Sequence, residues 1–334
     1  MNLLILGGSR FLGRAFVGEA LAAGHQVTVF NRGISGQDEP GVRGVRGDRE
    51  NPADLERLAA EGPWDAVVDV AGYVPAVVGA SARALAGAAG AYLYISSISA
   101  FAHFPARRTV DGSPLFECEP DAAEGEYGPL KAGSERAVRA HFPGRVLVHY
   151  PGLILGPHEN MGRLTWWLSR IARGGDVLAP GDPAREIQLI DARDIARFGL
   201  CCLESGHDEP HLLTSRTGHT TFGGWLEACV RETGSGARLV WAPDEVLLEH
   251  KVGIWTGLPL WSPVTEELAE VWNTDVSRTL AAGLECRPIE ETVHDTWAWL
   301  KETPSLAEED GRIAGQGLAP DAEQAVLAAL AEGR

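Results

Sequence analysis

Tyr127 and Lys131 stand four residues apart in Tyr127-Gly128-Pro129-Leu130-Lys131, at the head of a segment that reads as a helix to about His141. At that spacing the phenol and the ammonium lie one above the other on a single helical face. A positive charge beside a phenol favours the phenolate, which makes Tyr127 a usable proton donor or acceptor near neutral pH. A Tyr-x-x-x-Lys pair is common and carries little alone. Its weight comes from position: it follows Ser96-Ser97, at the end of an apolar run, in a chain that opens on a turn suited to anions.

That turn is Gly7-Gly8-Ser9-Arg10-Phe11-Leu12-Gly13. It follows Asn2 to Leu6, an apolar run of the kind buried on both faces of a parallel sheet. Glycine permits φ > 0 and lets backbone N–H groups approach a pyrophosphate. A helix from Leu12 to about Ala23 follows, with Leu12, Phe16 and Ala20 on one face and Gly24 as its stop. Gln26 to Phe30 is then a second strand, and strand, glycine turn, helix and strand together predict a dinucleotide site. Asn31-Arg32 comes next, where a carboxylate would hold both ribose hydroxyls of NAD. Asn lacks that charge and Arg32 can pair with a 2′-phosphate, so NADP(H) is the expected cofactor, with NAD(H) as the alternative.

The elements that must position these residues alternate regularly. Val42 to Asp48 reads as a third strand and Ala53 to Ala60 as a helix; Trp64 to Val70 is a fourth strand and Val77 to Ala89 an alanine-rich helix. Ala91 to Ile95 and Arg145 to Tyr150 complete six strands. The fold class is α/β: a Rossmann-type doubly wound parallel sheet, whose ligand lies at the carboxyl ends of the strands. Asp48 and Ala71-Gly72 belong to that edge.

In these motifs the chain resembles the short-chain dehydrogenase/reductase superfamily, in its extended branch of NAD-dependent epimerases and dehydratases. The resemblance spans residues 1 to about 300 and rests on Gly7…Gly13, Gly47-Asp48, Ala71-Gly72, Ser96-Ser97, Tyr127…Lys131 and Pro151…Gly156-Pro157, in family order. It implies that Ser97 binds the substrate oxygen, that Tyr127 transfers a proton, and that Lys131 holds the nicotinamide ribose and eases Tyr127 ionisation. Gly7, Ser9, Arg10, Phe11, Leu12 and Gly13 would carry the phosphates, Asn31 and Arg32 the adenosine end, and Asp48 and Arg49 the border of the adenine. Ala71 and Gly72 would border the phosphate and ribose and Pro151 the nicotinamide, with Ser96 and Leu153 also among the cofactor-binding residues. Arg10 replaces the middle glycine of the usual turn, which marks an atypical Gly-Gly-x-Arg-Phe-x-Gly subgroup. Leu153 stands where nucleotide-sugar enzymes carry Asn, and Ile98-Ser99 where dehydratases carry an acidic pair.

The second half is less regular. Residues 1–150 are expected to form the nucleotide-binding domain, with a return near 187–203, 151–302 mainly a substrate domain, and 303–334 a linker and a C-terminal helix over Asp321 to Ala331. Nine of the ten tryptophans follow residue 160. Packing accounts for most; Trp166 and Trp167, with Tyr73 at the sheet edge, are the candidates for an aromatic wall against a partly apolar substrate.

A formal charge of −17 disfavours nucleic acid and anionic membranes. No apolar run approaches the ~18 residues of a span, and with no basic leader the expected location is cytoplasmic. The five cysteines and His103, His149 and His158 lack ligand spacing, so no metal is expected. The expected partner is a small-molecule substrate, with the chain a monomer or homodimer. Three functions remain open: an NADPH-dependent reductase of a carbonyl or imine, a sugar or nucleotide-sugar epimerase or dehydratase, and a non-catalytic nucleotide- or RNA-binding module.

Overall fold

The computed structural model describes residues 1–303 and 315–332, and divides them into two units. The first comprises Met1–Ile154, Ile190–Arg216 and Thr274–Cys286. Its opening elements are β1 (Asn2–Leu6), α1 (Phe11–Ala22), β2 (Gln26–Asn31), β3 (Arg43–Arg46), α2 (Pro52–Ala60) and β4 (Trp64–Asp69). Next come α3 (Pro75–Leu85), β5 (Ala89–Ile95), a 3-10 turn at Ile98–Ala100, α4 (Tyr127–His141), β6 (Arg145–Pro151) and β7 (Leu153–Leu155). The chain then runs through α5 (Leu164–Ala172), β8 (Asp176–Pro180), β9 (Glu186–Ile187) and β10 (Leu189–Asp191) to α6 (Ala192–Ser205) and β11 (His211–Leu213).

Seven strands form one sheet in the order β11-β6-β5-β4-β1-β2-β3, every neighbouring pair parallel. Alternation along each strand explains why both faces are apolar. Leu4, Leu6, Val67, Tyr92 and Val148 face a layer with Leu58, Val78, Leu85 and Val138. Leu3, Ile5, Val29, Val68 and Leu93 face the opposite layer, which holds Phe16, Val17 and Ala20 with Ile195 and Phe198. Helices on both faces make this a doubly wound Rossmann-type sheet, and the strand order reverses between β1 and β4. The carboxyl ends of those two strands, at Leu6 and Asp69, are in register.

Local chemistry sets several helix starts. Asn51 caps α2 by accepting from Ala53 N at 3.0 Å, and Asp191 caps α6 by accepting from Arg193 N at 2.8 Å, an interaction worth about 1 kcal/mol. Gly206 ends α6 in the left-handed region at φ 80°. β3 is shorter than its sequence pattern predicts, because its pairing runs out where β2 ends at Asn31, and a turn closed by Asn51 N on Asp48 O at 3.0 Å follows.

The second unit comprises Leu155–Leu189, Thr217–Asn273 and Arg287–Arg334. It adds β12 (Thr220–Thr221), α7 (Phe222–Thr233), β13 (Arg238–Ala242), α8 (Asp244–Glu249), then α10 (Ile289–Glu302) and α11 (Pro320–Glu332); the intervening α9 (Ser277–Ala281) belongs to the first unit. β13 pairs parallel with β8, and β12 antiparallel with β9. α11 docks through Glu323, which is buried and accepts from Arg170 Nε at 2.7 Å and Leu178 N at 3.1 Å. Most of the expected linker falls on residues 304–314, outside the described residues. Among the described residues no helix is long and apolar enough to cross a membrane, and no group of three or more His, Cys, Asp or Glu could hold a metal ion.

Candidate active site

The glycine turn after β1 has the backbone its sequence requires. Gly7 lies at φ 112° and Gly8 at φ 97°, both outside the range of ordinary side chains. A Cβ at Gly13 would sit 2.7 Å from Gly8 N, so the helix can approach the turn this closely only with glycine there. α1 starts at Phe11 with no side-chain cap from Arg10 and no acid in its first turn. Its leading N–H groups and positive dipole end therefore suit an anion. At the edge of β5, Ser96 Oγ is buried without a hydrogen-bond partner, a cost of about 1–3 kcal/mol that a polar ligand would offset. A nicotinamide dinucleotide fits these residues.

The end of β2 holds a network that the sequence does not announce. Asn31 Oδ1 accepts from Gly33 N at 2.9 Å and from Arg46 Nη1 at 2.9 Å. Asp38 then accepts from Asn31 Nδ2 at 2.9 Å and from Arg46 Nη2 at 2.6 Å. Asn31 alone predicts a position without a carboxylate; Asp38 brings one back from the following loop. Arg32 is exposed and has no partner among the described residues. Asp48 turns back on its own chain, accepting from Glu50 N at 3.0 Å.

Arg49, expected at the border of the adenine, has its guanidinium committed to the protein interior. It donates to Asp69 through Nη1 at 2.9 Å and Nη2 at 2.8 Å, with Ser81 Oγ 3.0 Å from Nη2. Asp69 also accepts from Tyr92 Oη at 2.7 Å and from Ala71 N at 3.1 Å, so four donors meet one fully buried carboxylate. Burial opposes Asp69 ionisation, yet the Arg49 charge and these hydrogen bonds hold it below the usual carboxylate range. The one signal in the sequence is a charge interrupting an apolar strand, Ala66-Val67-Val68-Asp69-Val70.

Lys131 is buried beside this network. Its Nζ donates to Gly72 O at 2.7 Å and Ile95 O at 2.8 Å, and lies 4.8 Å from the Tyr73 ring centre and 5.1 Å from that of Tyr94. Tyr94 Oη donates to the same Gly72 carbonyl at 3.1 Å. Burial pulls the Lys131 amine down to about 7, against the opposing charge of Asp69. Tyr127 opens α4 and is 50 % exposed, its ring 6.4 Å from Tyr73. A side chain at Gly128 would collide with the Ser99 carbonyl, so this glycine lets the head of α4 press against the turn that carries Ser97. Ser97 Oγ accepts from Ser99 N at 3.1 Å, which leaves its own proton for another acceptor. Pro151 ends β6 and is buried, Gly152 N donates to Leu213 O at 2.9 Å, and Leu153 opens β7 half-buried.

The tryptophan pair belongs to the second unit, and Trp167 is not a pocket wall. It is fully buried, donates to Pro259 O at 2.9 Å and packs edge-on against Trp225 at 6.3 Å. Trp166 stacks edge-on against Trp167 at 4.9 Å, and Gly317 lies so close to its indole that no side chain fits there. His149 is buried in the first unit, and His158 lies 5.0 Å from the Trp299 ring in the second.

Residues 3–213 match the NAD dependent epimerase/dehydratase family. The chain is 31 % identical over 202 residues to the 2′-dehydrokanamycin reductase of Streptomyces kanamyceticus, covering 58 % of this chain and 55 % of that protein. It is 26 % identical over 250 residues to the chloroplast stem-loop binding protein of 41 kDa b of Arabidopsis thaliana, covering 70 % and 63 %. Both matches thus span less than two thirds of the relative's own length. Among solved structures, the Bordetella bronchiseptica enzyme WbmH in complex with NAD+ shares the fold with a TM-score of 0.69 at 16 % identity, over 90 % of this chain and 99 % of that one. With its parallel sheet, glycine turn and Tyr127-Lys131 helix in place, the chain belongs to the NAD-dependent epimerase/dehydratase family, within the short-chain dehydrogenase/reductase superfamily.

Proposed function

We propose that the protein is an NADPH-dependent reductase of a carbonyl, or of the related imine, on a small molecule. The observation that carries this reading is the gathering of Ser97, Tyr127 and Lys131 at one sheet edge with no carboxylate following Ser97: Ile98 and Ser99 occupy those positions. Proton donation to an oxygen is supported there, and acid-assisted elimination is not. The name of the Streptomyces relative, a reductase, points the same way.

When bound, the nicotinamide supplies hydride. Gly7, Ser9, Arg10, Phe11, Leu12 and Gly13 would hold the phosphates, Asn31 and Arg32 the adenosine end, Ala71 and Gly72 the phosphate and ribose, and Ser96 and Pro151 the nicotinamide end. Ser97 donates a hydrogen bond that holds the substrate oxygen, and Tyr127 passes its phenolic proton to that atom as negative charge builds there. Lys131, with two N–H groups spent on backbone carbonyls, has a third to offer a ribose hydroxyl. Preference for NADP(H) rests on Arg32 and Arg46, two cations able to pair with a 2′-phosphate; Asp38 opposes it in part.

The test is stoichiometry. The protein should purify largely free of nucleotide and oxidise one NADPH per product from a panel of small ketones that includes 2′-dehydrokanamycin. Tightly retained nucleotide, with turnover that leaves nicotinamide absorbance unchanged, would replace the reductase with an epimerase.

A further inference from the structure

The chain contains three lysines against 26 arginines. Lys251 and Lys301 are exposed, whereas Lys131 is buried. A cation at this position is therefore held by its surroundings, not by water. The acceptors on Nζ are neutral carbonyls, and the nearest aromatic groups, Tyr73 and Tyr94, offer ring faces. Neutral dipoles and ring faces attract an ammonium but do not balance its charge.

We propose that Asp69, clamped by Arg49 and Tyr92, is the positioning residue of this site: it fixes the turn that presents the Gly72 carbonyl to Lys131 and supplies the counter-charge that keeps the buried ammonium there. The geometry runs without a gap. Arg49 holds both oxygens of Asp69, at 2.9 and 2.8 Å, and Tyr92 Oη adds a bond at 2.7 Å. Asp69 Oδ1 also accepts from Ala71 N at 3.1 Å, which folds the chain back so that the next carbonyl, that of Gly72, meets Lys131 Nζ at 2.7 Å and Tyr94 Oη at 3.1 Å. Tightness at Gly72 supports this, because a Cβ there would lie 2.8 Å from both Tyr94 and Val78 and 3.1 Å from Asp69 Oδ2.

The charged and titratable groups around Lys131 are Asp69 at the end of β4, Arg49 from the turn after β3, Tyr92 and Tyr94 on β5, Tyr73 after β4, and Tyr127 one turn earlier on α4. Asp69 is the anion among them; the next carboxylate on α4, Glu135, is engaged by Arg139 Nε at 3.1 Å and Tyr150 Oη at 2.5 Å. Arg49 repels the ammonium while orienting the carboxylate that attracts it, so the two substitutions have opposite signs: loss of Asp69 favours the neutral amine, and loss of Arg49 favours the ammonium. A scaffold role alone would not produce that reversal.

The proposal rests on Lys131 serving the reductase, but its test needs neither cofactor nor substrate. With three lysines, protein labelled at lysine Cε and Nζ gives a spectrum in which Lys131→Arg assigns the buried side chain. In the wild type, Lys131 should titrate near neutrality while Lys251 and Lys301 titrate near the ordinary value of about 10.4. Asp69→Asn should lower the Lys131 midpoint by about one unit or more, a tenfold change in protonation, and Arg49→Gln should raise it. A Lys131 midpoint that stays in place in both variants, or moves in the same direction in both, overturns the proposal. Failure of turnover with NADPH and ketones would remove the reductase and leave this result standing.

Discussion

Two Arg–Asp pairs lie along the edge of the sheet, and burial sets them apart. Arg46–Asp38 sits at the end of β2 with the arginine side chain 48 % exposed; Arg49–Asp69 sits inside, with the aspartate at 0 %. An exposed pair gains little over its solvated parts and can change partners. A buried pair cannot be broken cheaply, because the remaining charge has no water to return to. One ion pair is an exchangeable contact, and the other is part of the framework beneath Lys131.

Substitution should separate the two most strongly. Asp69→Ala is expected to cost about 3–5 kcal/mol of stability in urea unfolding, by leaving Arg49 buried without its counter-charge, while Asp38→Ala should cost under about 1 kcal/mol. Equal losses would erase the contrast. The chemistry at the inner end is tested by Tyr127→Phe, which should lower turnover roughly 10²–10⁴-fold and leave NADPH affinity nearly unchanged, as measured by steady-state kinetics and fluorescence titration. Wild-type turnover in that variant would mean another proton donor. At the rim, Arg32→Ala should weaken NADPH binding by about 1–3 kcal/mol and NADH binding hardly at all. Calorimetry showing equal losses for both cofactors would make Arg32 structural.

A third buried group sharpens the comparison, because it has no counter-ion. His149 on β6 and His211 on β11 lie 5.7 Å apart between ring centres, and both His149 nitrogens lack hydrogen-bond partners. Burial first, then the neighbouring His211, lowers His149 to about 3; burial also lowers His211 to about 4, with Arg278 adding to it. Unfolded imidazoles take protons near pH 6.5, so between there and pH 3–4 the unfolded state binds more protons and acid favours it. Stability should fall below pH 6.5 by up to about 1.4 kcal/mol per pH unit for each ring. Urea midpoints measured from pH 7 to pH 4 check this, and replacing His149 with Phe should flatten the slope.

Local rules made much of the architecture legible. Apolar runs, glycine punctuation and the spacing of Tyr127 and Lys131 act within a few residues, so the Rossmann-type sheet, the tight glycine turn and the helix that Tyr127 opens could be read in order along the chain. Shorter elements, such as β3 and the end of α3 at Leu85, depended on where the next turn began. Asp69 offered a hint, as a charge within an apolar strand, but nothing nearby identified its partner.

What tertiary structure alone decided was which charges meet and which rings are covered. Arg49 reaches Asp69 across 20 residues of sequence, Asp38 returns a carboxylate to Asn31, and Trp167 is closed off by Trp225 and Pro259. The reason is physical: an i, i+4 spacing or a glycine turn acts through the local backbone, whereas the environment of a side chain depends on elements brought together by the sheet order. Sequence determined that Lys131 would stand one helical turn after Tyr127; only the fold determined that it would be buried against the Gly72 and Ile95 carbonyls, with Asp69 as its balancing charge.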